Sequence, residues 1–175
     1  MIAEPPGAAA ASPSPLRIRP ATPADVPPLH ALVRALAEYE RLSAICTSTE
    51  ADLHAALFGP RPVAEALIAR LDANSEVAAG FALFFHTYST FLGRPSLWLE
   101  DLFVRPEHRG AGIGQALIRA LAGIAADRGC GRFEWAVLDW NEPAIRFYES
   151  LGAAVLPDWR IARVTGDALA RLARR

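Results

Sequence analysis

Lysine is missing from this chain: all 18 basic residues are arginine. That excludes a Schiff-base lysine, a Walker-type phosphate-loop lysine and a Ser-Lys pair. Cysteine is scarce too. Cys46 and Cys130 are far apart and show no CxxC spacing, so the chain reads as reduced and cytoplasmic. His30, His54, His86 and His108 follow no zinc-binding spacing, and no metal is expected. No charge of one sign dominates. The 18 basic and 19 acidic residues leave a net charge of −1, which argues against nucleic acid as a partner. No segment supplies the roughly 20 apolar residues of a membrane span, and the N-terminus lacks the positive start and apolar core of a secretory signal.

What remains is the composition of a globular protein: 175 residues, 52% hydrophobic and 21% charged, enough for one domain. Residues 1–15 form an Ala/Pro/Ser-rich tail that cannot bury a core and is expected to be disordered; residues 16–175 form the domain. Leu16–Arg19 alternates as a short strand. Thr22 to Asp25 has the form of a capping box, and Leu29, Leu32, Val33 and Leu36 then recur at helical spacing. Pro27 and Pro28 should distort or restart the first turns of that helix. Thr49 to Asp52 repeats the capping signal before a shorter helix stopped by Gly59-Pro60.

Residues 62–72 and 76–89 read as a long hairpin around the turn Asp72-Ala73-Asn74-Ser75. Further strands are expected at Ser96–Val104, Arg132–Leu138 and Trp159–Val164. Helices are expected from Ile113 to near Gly129, over Asn141–Leu151, and at the C-terminus. The class is α/β with a mixed sheet.

The strongest chemical signal lies after Ser96–Val104. The run Arg109-Gly110-Ala111-Gly112-Ile113-Gly114-Gln115 joins a strand to a helix start with three alternate glycines. Backbone N–H groups there are unshielded and lie at the positive end of a helix dipole, which suits a phosphate or pyrophosphate. The alternative is a glycine-rich helix start with no ligand. Without lysine it is no Walker loop, and Gln115 and Leu117 break the dinucleotide fingerprint in both frames.

This loop resembles the acetyl-CoA loop of the GNAT N-acetyltransferases. Three further segments make the chain similar to their diamine (spermidine/spermine) N-acetyltransferase branch, which includes thialysine-acetylating members. They are Leu36-Ala37-Glu38-Tyr39-Glu40, Leu97-Trp98-Leu99-Glu100-Asp101-Leu102-Phe103-Val104 and Trp140-Asn141-Glu142-Pro143-Ala144-Ile145-Arg146-Phe147-Tyr148. The resemblance runs from about Leu16 to Leu172. It implies the GNAT fold, a single domain with a mixed, mostly antiparallel sheet flanked by helices. It also implies acetyl-CoA as cosubstrate, a small-molecule amine as acceptor, and a homodimer. By the same resemblance Leu102, Phe103 and Val104 hold the acetyl-pantetheine arm. Arg109, Gly110, Ala111, Gly112, Ile113, Gly114 and Gln115 hold the pyrophosphate, with Asn141, Glu142, Pro143 and Ala144 as further cofactor contacts.

Glu100 and Asp101 interrupt an apolar strand, and alternation puts them on opposite faces. A buried carboxylate there is either one half of a structural ion pair or a group for binding and deprotonating an alkylammonium, whose pKa is about 10. The resemblance favours the second role for Glu100. Tyr148 shares a helix face with Asn141. It is either a core aromatic or, by the resemblance, the general acid for the departing thiolate. Tyr39, Glu40, Asp158 and Trp159 are carried over with Glu100 as the acceptor site, against the alternative of solvated surface. The Tyr148-to-Trp159 connection and Ser43–Ser48 are less acidic than in polyamine-selective members, so an amino acid or another small amine stays open as acceptor. A non-catalytic acyl-CoA-binding module is the reading from another class.

Overall fold

The computed structural model describes residues 16–71 and 77–174, so the tail and the hairpin turn Asp72–Ser75 lie outside the described residues. The chain divides into two compact units, one up to Ala136 and one from Val137.

The first unit is a five-stranded sheet in sequence order with helices packed on it. Its strands are β1 (Arg17–Pro20), β2 (Glu65–Arg70), β3 (Gly80–Ser89), β4 (Arg94–Val104) and β5 (Arg132–Trp135). The first three pairings are antiparallel, and β4 with β5 is parallel. The fold is therefore α/β with a mixed, mostly antiparallel sheet, as the sequence reads. The hairpin strands β2 and β3 pair from Glu65–Phe84 to Ala69–Gly80. Strand β5 stops at Trp135, three residues short of the expected end at Leu138, a difference that shapes the site described below.

Helix α1 (Val26–Tyr39) follows a 3-10 turn at Pro23–Asp25 whose capping box is formed by Thr22 and Asp25. Pro27 and Pro28 fall in its first turn, where a missing N–H leaves no helical bond unmade, so the helix restarts at Val26 instead of kinking. Helix α2 (Glu50–Phe58) starts on the Thr49/Asp52 capping box and ends at Gly59. Leu29, Leu32 and Leu36 of α1 pack with Leu57, Ala66, Ile68, Phe81 and Phe103 in one cluster. Helix α3 (Ile113–Asp127) buries Ile113, Leu117, Ile118, Leu121 and Ala125. At about 1.5–3 kcal/mol for each large side chain removed from water, these clusters dominate the stability of the unit.

The second unit holds α4 (Glu142–Ser150) and α5 (Gly166–Leu172). The side-chain oxygen of Asn141 accepts the Ala144 N–H at 3.4 Å, the expected N-cap, and Pro143 sits in the first turn. The strand expected over Trp159–Val164 does not form. Trp159 is 74% exposed and Ile161 68% exposed. Their alternation states a preference that pairing must satisfy, and no strand among the described residues pairs with this segment.

Candidate active site

The site of the first unit is built on β4. Between β3 and β4 the register runs Leu83 to Asp101 and then Phe84 to Leu99, which leaves Glu100 as the extra residue of a β-bulge. The bulge reverses the alternation: Leu97 and Leu99, opposite His86 and Phe84, share one face, while half-buried Asp101 and buried Phe103, opposite Leu83 and Phe81, share the other, the face packed by α1. Glu100 is exposed, and its Oε2 accepts the indole N–H of Trp98 at 2.9 Å; Trp98, opposite Phe85, lies on the same face as Asp101. The opposite faces expected from alternation are not kept, because the bulge turns Asp101 to the side where Trp98 holds Glu100; the cost of burial falls on Asp101. Burial, with the charges of Glu100 and Glu40 adding to it, pushes the Asp101 carboxyl up to about 6.

The parallel pairing of β4 with β5 ends at Leu99 and Trp135. From Glu100 to Val104, no strand among the described residues continues the sheet on that side. An open strand edge of this kind can bond an extended, amide-bearing ligand.

The glycine loop follows directly. A 3-10 turn at Pro106–His108 leads to Arg109, and Gly110 and Gly112 take φ of 79° and 77°, a left-handed conformation that other residues adopt only under strain. Gly112 is the N-cap of α3, and no side chain caps the first turn of that helix. Its leading N–H groups therefore remain for a ligand, and Gly110, Ala111 and Gly112 are exposed. Ile113 is buried, so it anchors the helix start through its side chain; Gly114 and Gln115 are half-buried beside it. Uncapped amides on an exposed helix start fit a phosphate-bearing cosubstrate.

Tyr39 ends α1 and Glu40 is its C-cap, both half-buried. Burial raises the Glu40 carboxyl above its ordinary value. The Arg109 guanidinium lies 4.7 Å from the centre of the Tyr39 ring and 5.7 Å from that of Phe103. Its Nε donates to the Val104 carbonyl at 3.1 Å. Within this unit, Tyr39, Glu40, Glu100, Asp101, Phe103 and Arg109 therefore converge.

In the second unit, taken by itself, Asn141 and Tyr148 are both buried, seven residues apart at the two ends of α4. Glu142 is exposed and bonds Arg146 at 2.9 Å; Pro143 is exposed and Ala144 half-buried. Asp158 and Trp159 are exposed. Among the described residues no three His, Cys, Asp or Glu side chains converge as a metal site, and no helix is long and apolar enough to cross a membrane.

The family model of the acetyltransferase (GNAT) family matches residues 30–153. The chain belongs to the GNAT family of acetyltransferases. A thialysine N-epsilon-acetyltransferase from Sus scrofa is 40% identical over 89% of this chain and 96% of its own. An L-ornithine N5-acetyltransferase from Arabidopsis thaliana is 36% identical over 87% of this chain and 86% of its own. These relatives put the chain in the diamine acetyltransferase-like branch, as an acetyl-CoA-dependent N-acetyltransferase. An integron cassette protein from the mobile metagenome of V. cholerae shares the fold, with a TM-score of 0.76 at 26% identity, over 91% of this chain and 98% of that one.

Sequence reasoning about this GNAT enzyme missed two features of the site. Asp101 was passed over for Glu100, because the bulge that turns Asp101 to the Phe103 face depends on the pairing with β3. The placing of Arg109 on Tyr39 and Phe103 has no local signal, because the three residues come from a helix end, a strand and a loop.

Proposed function

We propose that this acetyltransferase moves the acetyl group of acetyl-CoA to the primary amine of a small diamine-like acceptor, such as the side-chain amine of an ornithine- or thialysine-like amino acid. The observation that carries the reading is the convergence of Glu40, Glu100 and Asp101 with the Tyr39 and Phe103 rings, beside an open strand edge and an uncapped helix start. Carboxylates and ring faces attract an alkylammonium. The names of the two relatives, both acting on amino acids with a side-chain amine, support the same acceptor class.

Acetyl-CoA supplies an activated thioester. The leading N–H groups of α3, with Arg109 to Gln115, hold its pyrophosphate, while Leu102, Phe103 and Val104 offer backbone groups to its pantetheine arm. The likeness to the family assigns Asn141, Glu142, Pro143 and Ala144 to the cofactor as well. Glu100 accepts a proton from the bound ammonium, directly or through water, and so exposes a nucleophilic lone pair. The amine attacks in a ternary complex without an acetyl-enzyme. Tyr148 donates a proton to the departing sulfur; a thiol pKa of about 8.5 makes that help modest. Glu40, Asp101, Tyr39, Asp158 and Trp159 bind the acceptor.

The working molecule is one catalytic domain, residues 16–175, behind the tail 1–15. A cytoplasmic location is supported by the two free thiols, Cys46 and Cys130. A homodimer is supported by the exposed apolar side chains Val155, Leu156 and Ile161, which a second copy would cover. The charge balance favours small molecules over nucleic acid as partners.

The test is thiol release from acetyl-CoA with a panel of diamines, ornithine, thialysine and other amino acids. Glu100→Gln is expected to lower kcat/KM by about 10²–10⁴, and Tyr148→Phe by less. CoA that stabilises the protein with no acceptor turned over would favour the non-catalytic module. An acetyl-enzyme trapped without acceptor would rule out direct attack.

A further inference from the structure

Two sites make claims on Arg109. The loop that carries it leads into the uncapped start of α3, where an anion would sit. Its side chain lies elsewhere, over the faces of Tyr39 and Phe103, tied back by Nε to the Val104 carbonyl. Those rings belong to the cluster with Glu40 and Asp101, whose carboxylates call for a cation. A guanidinium and an alkylammonium are attracted to a ring face by the same quadrupole, and they cannot both occupy it. A phosphate offers the guanidinium paired, charge-assisted hydrogen bonds, which are stronger than contact with an uncharged ring.

We propose that Arg109 is a tethered competitor of the acceptor amine: its guanidinium covers Tyr39 and Phe103 in the cofactor-free enzyme and leaves them when a pyrophosphate occupies the glycine loop. The proposal rests on the reading of the loop as the pyrophosphate site and of the carboxylate cluster as the amine site. Filling the first site opens the second. The coupling is reciprocal by thermodynamic necessity, so the acceptor must strengthen cofactor binding by the same factor. Displacing one cation–ring contact corresponds to roughly a two- to thirty-fold change in affinity. The enzyme then favours cofactor first and amine second, which keeps acceptor out of a site that holds no thioester.

Calorimetry with 1,4-diaminobutane as probe and CoA in place of acetyl-CoA tests this without turnover. Wild-type protein should bind the diamine about two- to thirty-fold more tightly when saturated with CoA. Arg109→Ala should bind it without CoA as tightly as the wild-type CoA complex does, and CoA should then add nothing. Arg109 is exposed, so truncation leaves the core intact, and Arg109→Gln should repeat the result.

Unchanged diamine affinity in the cofactor-free Arg109→Ala protein overturns the proposal. So does a CoA effect that persists in that variant, since it would come from the charge of CoA itself. Weaker CoA binding with unchanged diamine affinity leaves the loop reading standing and removes only the switch. Unchanged CoA binding removes Arg109 from the pyrophosphate site, and a diamine that never binds removes the amine site; either takes the proposal with it.

Discussion

Asp25 and Asp101 belong to the same unit and both lose water on folding, yet their surroundings are opposite. Asp25 is 2% exposed and accepts bonds from Arg19 at 2.6 and 2.9 Å, Arg70 at 3.1 Å, the Thr22 hydroxyl at 2.7 Å and the Thr22 N–H at 2.8 Å. Burial alone would raise its pKa, but the bonds from Arg19, Thr22 and Arg70 outweigh that and hold it well below the usual carboxylate range. Asp101 is raised to about 6, first by burial and then by its charged neighbours Glu100 and Glu40. One carboxylate has its cations supplied by the fold and ties β1, β2 and the start of α1 together. The other is set among like charges, an arrangement that costs stability and is relieved by a cation from outside. A raised pKa by itself does not mark a site; here it coincides with ring faces, an open strand edge and a loop arginine.

The largest expected effect falls on the paired aspartate. Asp25→Ala leaves Arg19 and Arg70 facing a gap and should cost about 3–5 kcal/mol in urea unfolding at pH 7. In the wild type, the Asp25 contribution is complete above its unfolded pKa and fades as acid protonates the carboxylate, so stability falls on acidification. A loss below about 1 kcal/mol would reduce the network to surface decoration.

Asp101→Asn should go the other way. The folded protein holds a proton on Asp101 up to about pH 6, while the unfolded chain releases it near 4. The wild type therefore pays its penalty in full above pH 6 and sheds it progressively between pH 6 and 4. The variant should be about 1–3 kcal/mol more stable at pH 8, no more stable at pH 4, and weaker in acceptor binding. Thermal melts across that range, with KM measured at pH 8, check both halves. Destabilisation at pH 8 would put Asp101 in the same structural class as Asp25.

The smallest effect belongs to the exposed pair of Arg128 with Glu65, whose side chains are 39% and 48% exposed. Glu65→Gln should shift stability by less than about 1 kcal/mol, and added salt should erase the difference. Anything near the Asp25 value would mean that burial is not what separates these ion pairs.

How far the sequence reaches follows the range of the interactions involved. Local rules placed the capping boxes at Thr22 and Thr49, the prolines in the first turn of α1, and the Asn141 cap, because each depends on neighbours three or four residues away. Alternation placed β4 but misplaced Glu100 and Asp101 on opposite faces. It could not say which face was the core or that a bulge falls at Glu100, because both depend on β3. The strand expected at Trp159–Val164 shows the same limit from the other side: the residues suit a strand, but pairing is a property of the partner. The stacking of Arg109 on rings from two other elements lay furthest from any sequence signal.

The open edge of β4 has a cost in handling. Backbone donors and acceptors from Glu100 to Phe103 that no strand among the described residues takes up are a template on which another chain can lay a strand. Whatever fills that edge acts as a sixth strand borrowed from solution, blocking unwanted pairing as well as serving the reaction. Starved of that borrowed strand, the protein should clump on storage or on its way to the folded state, and a ligand with amides along its length should keep it dispersed.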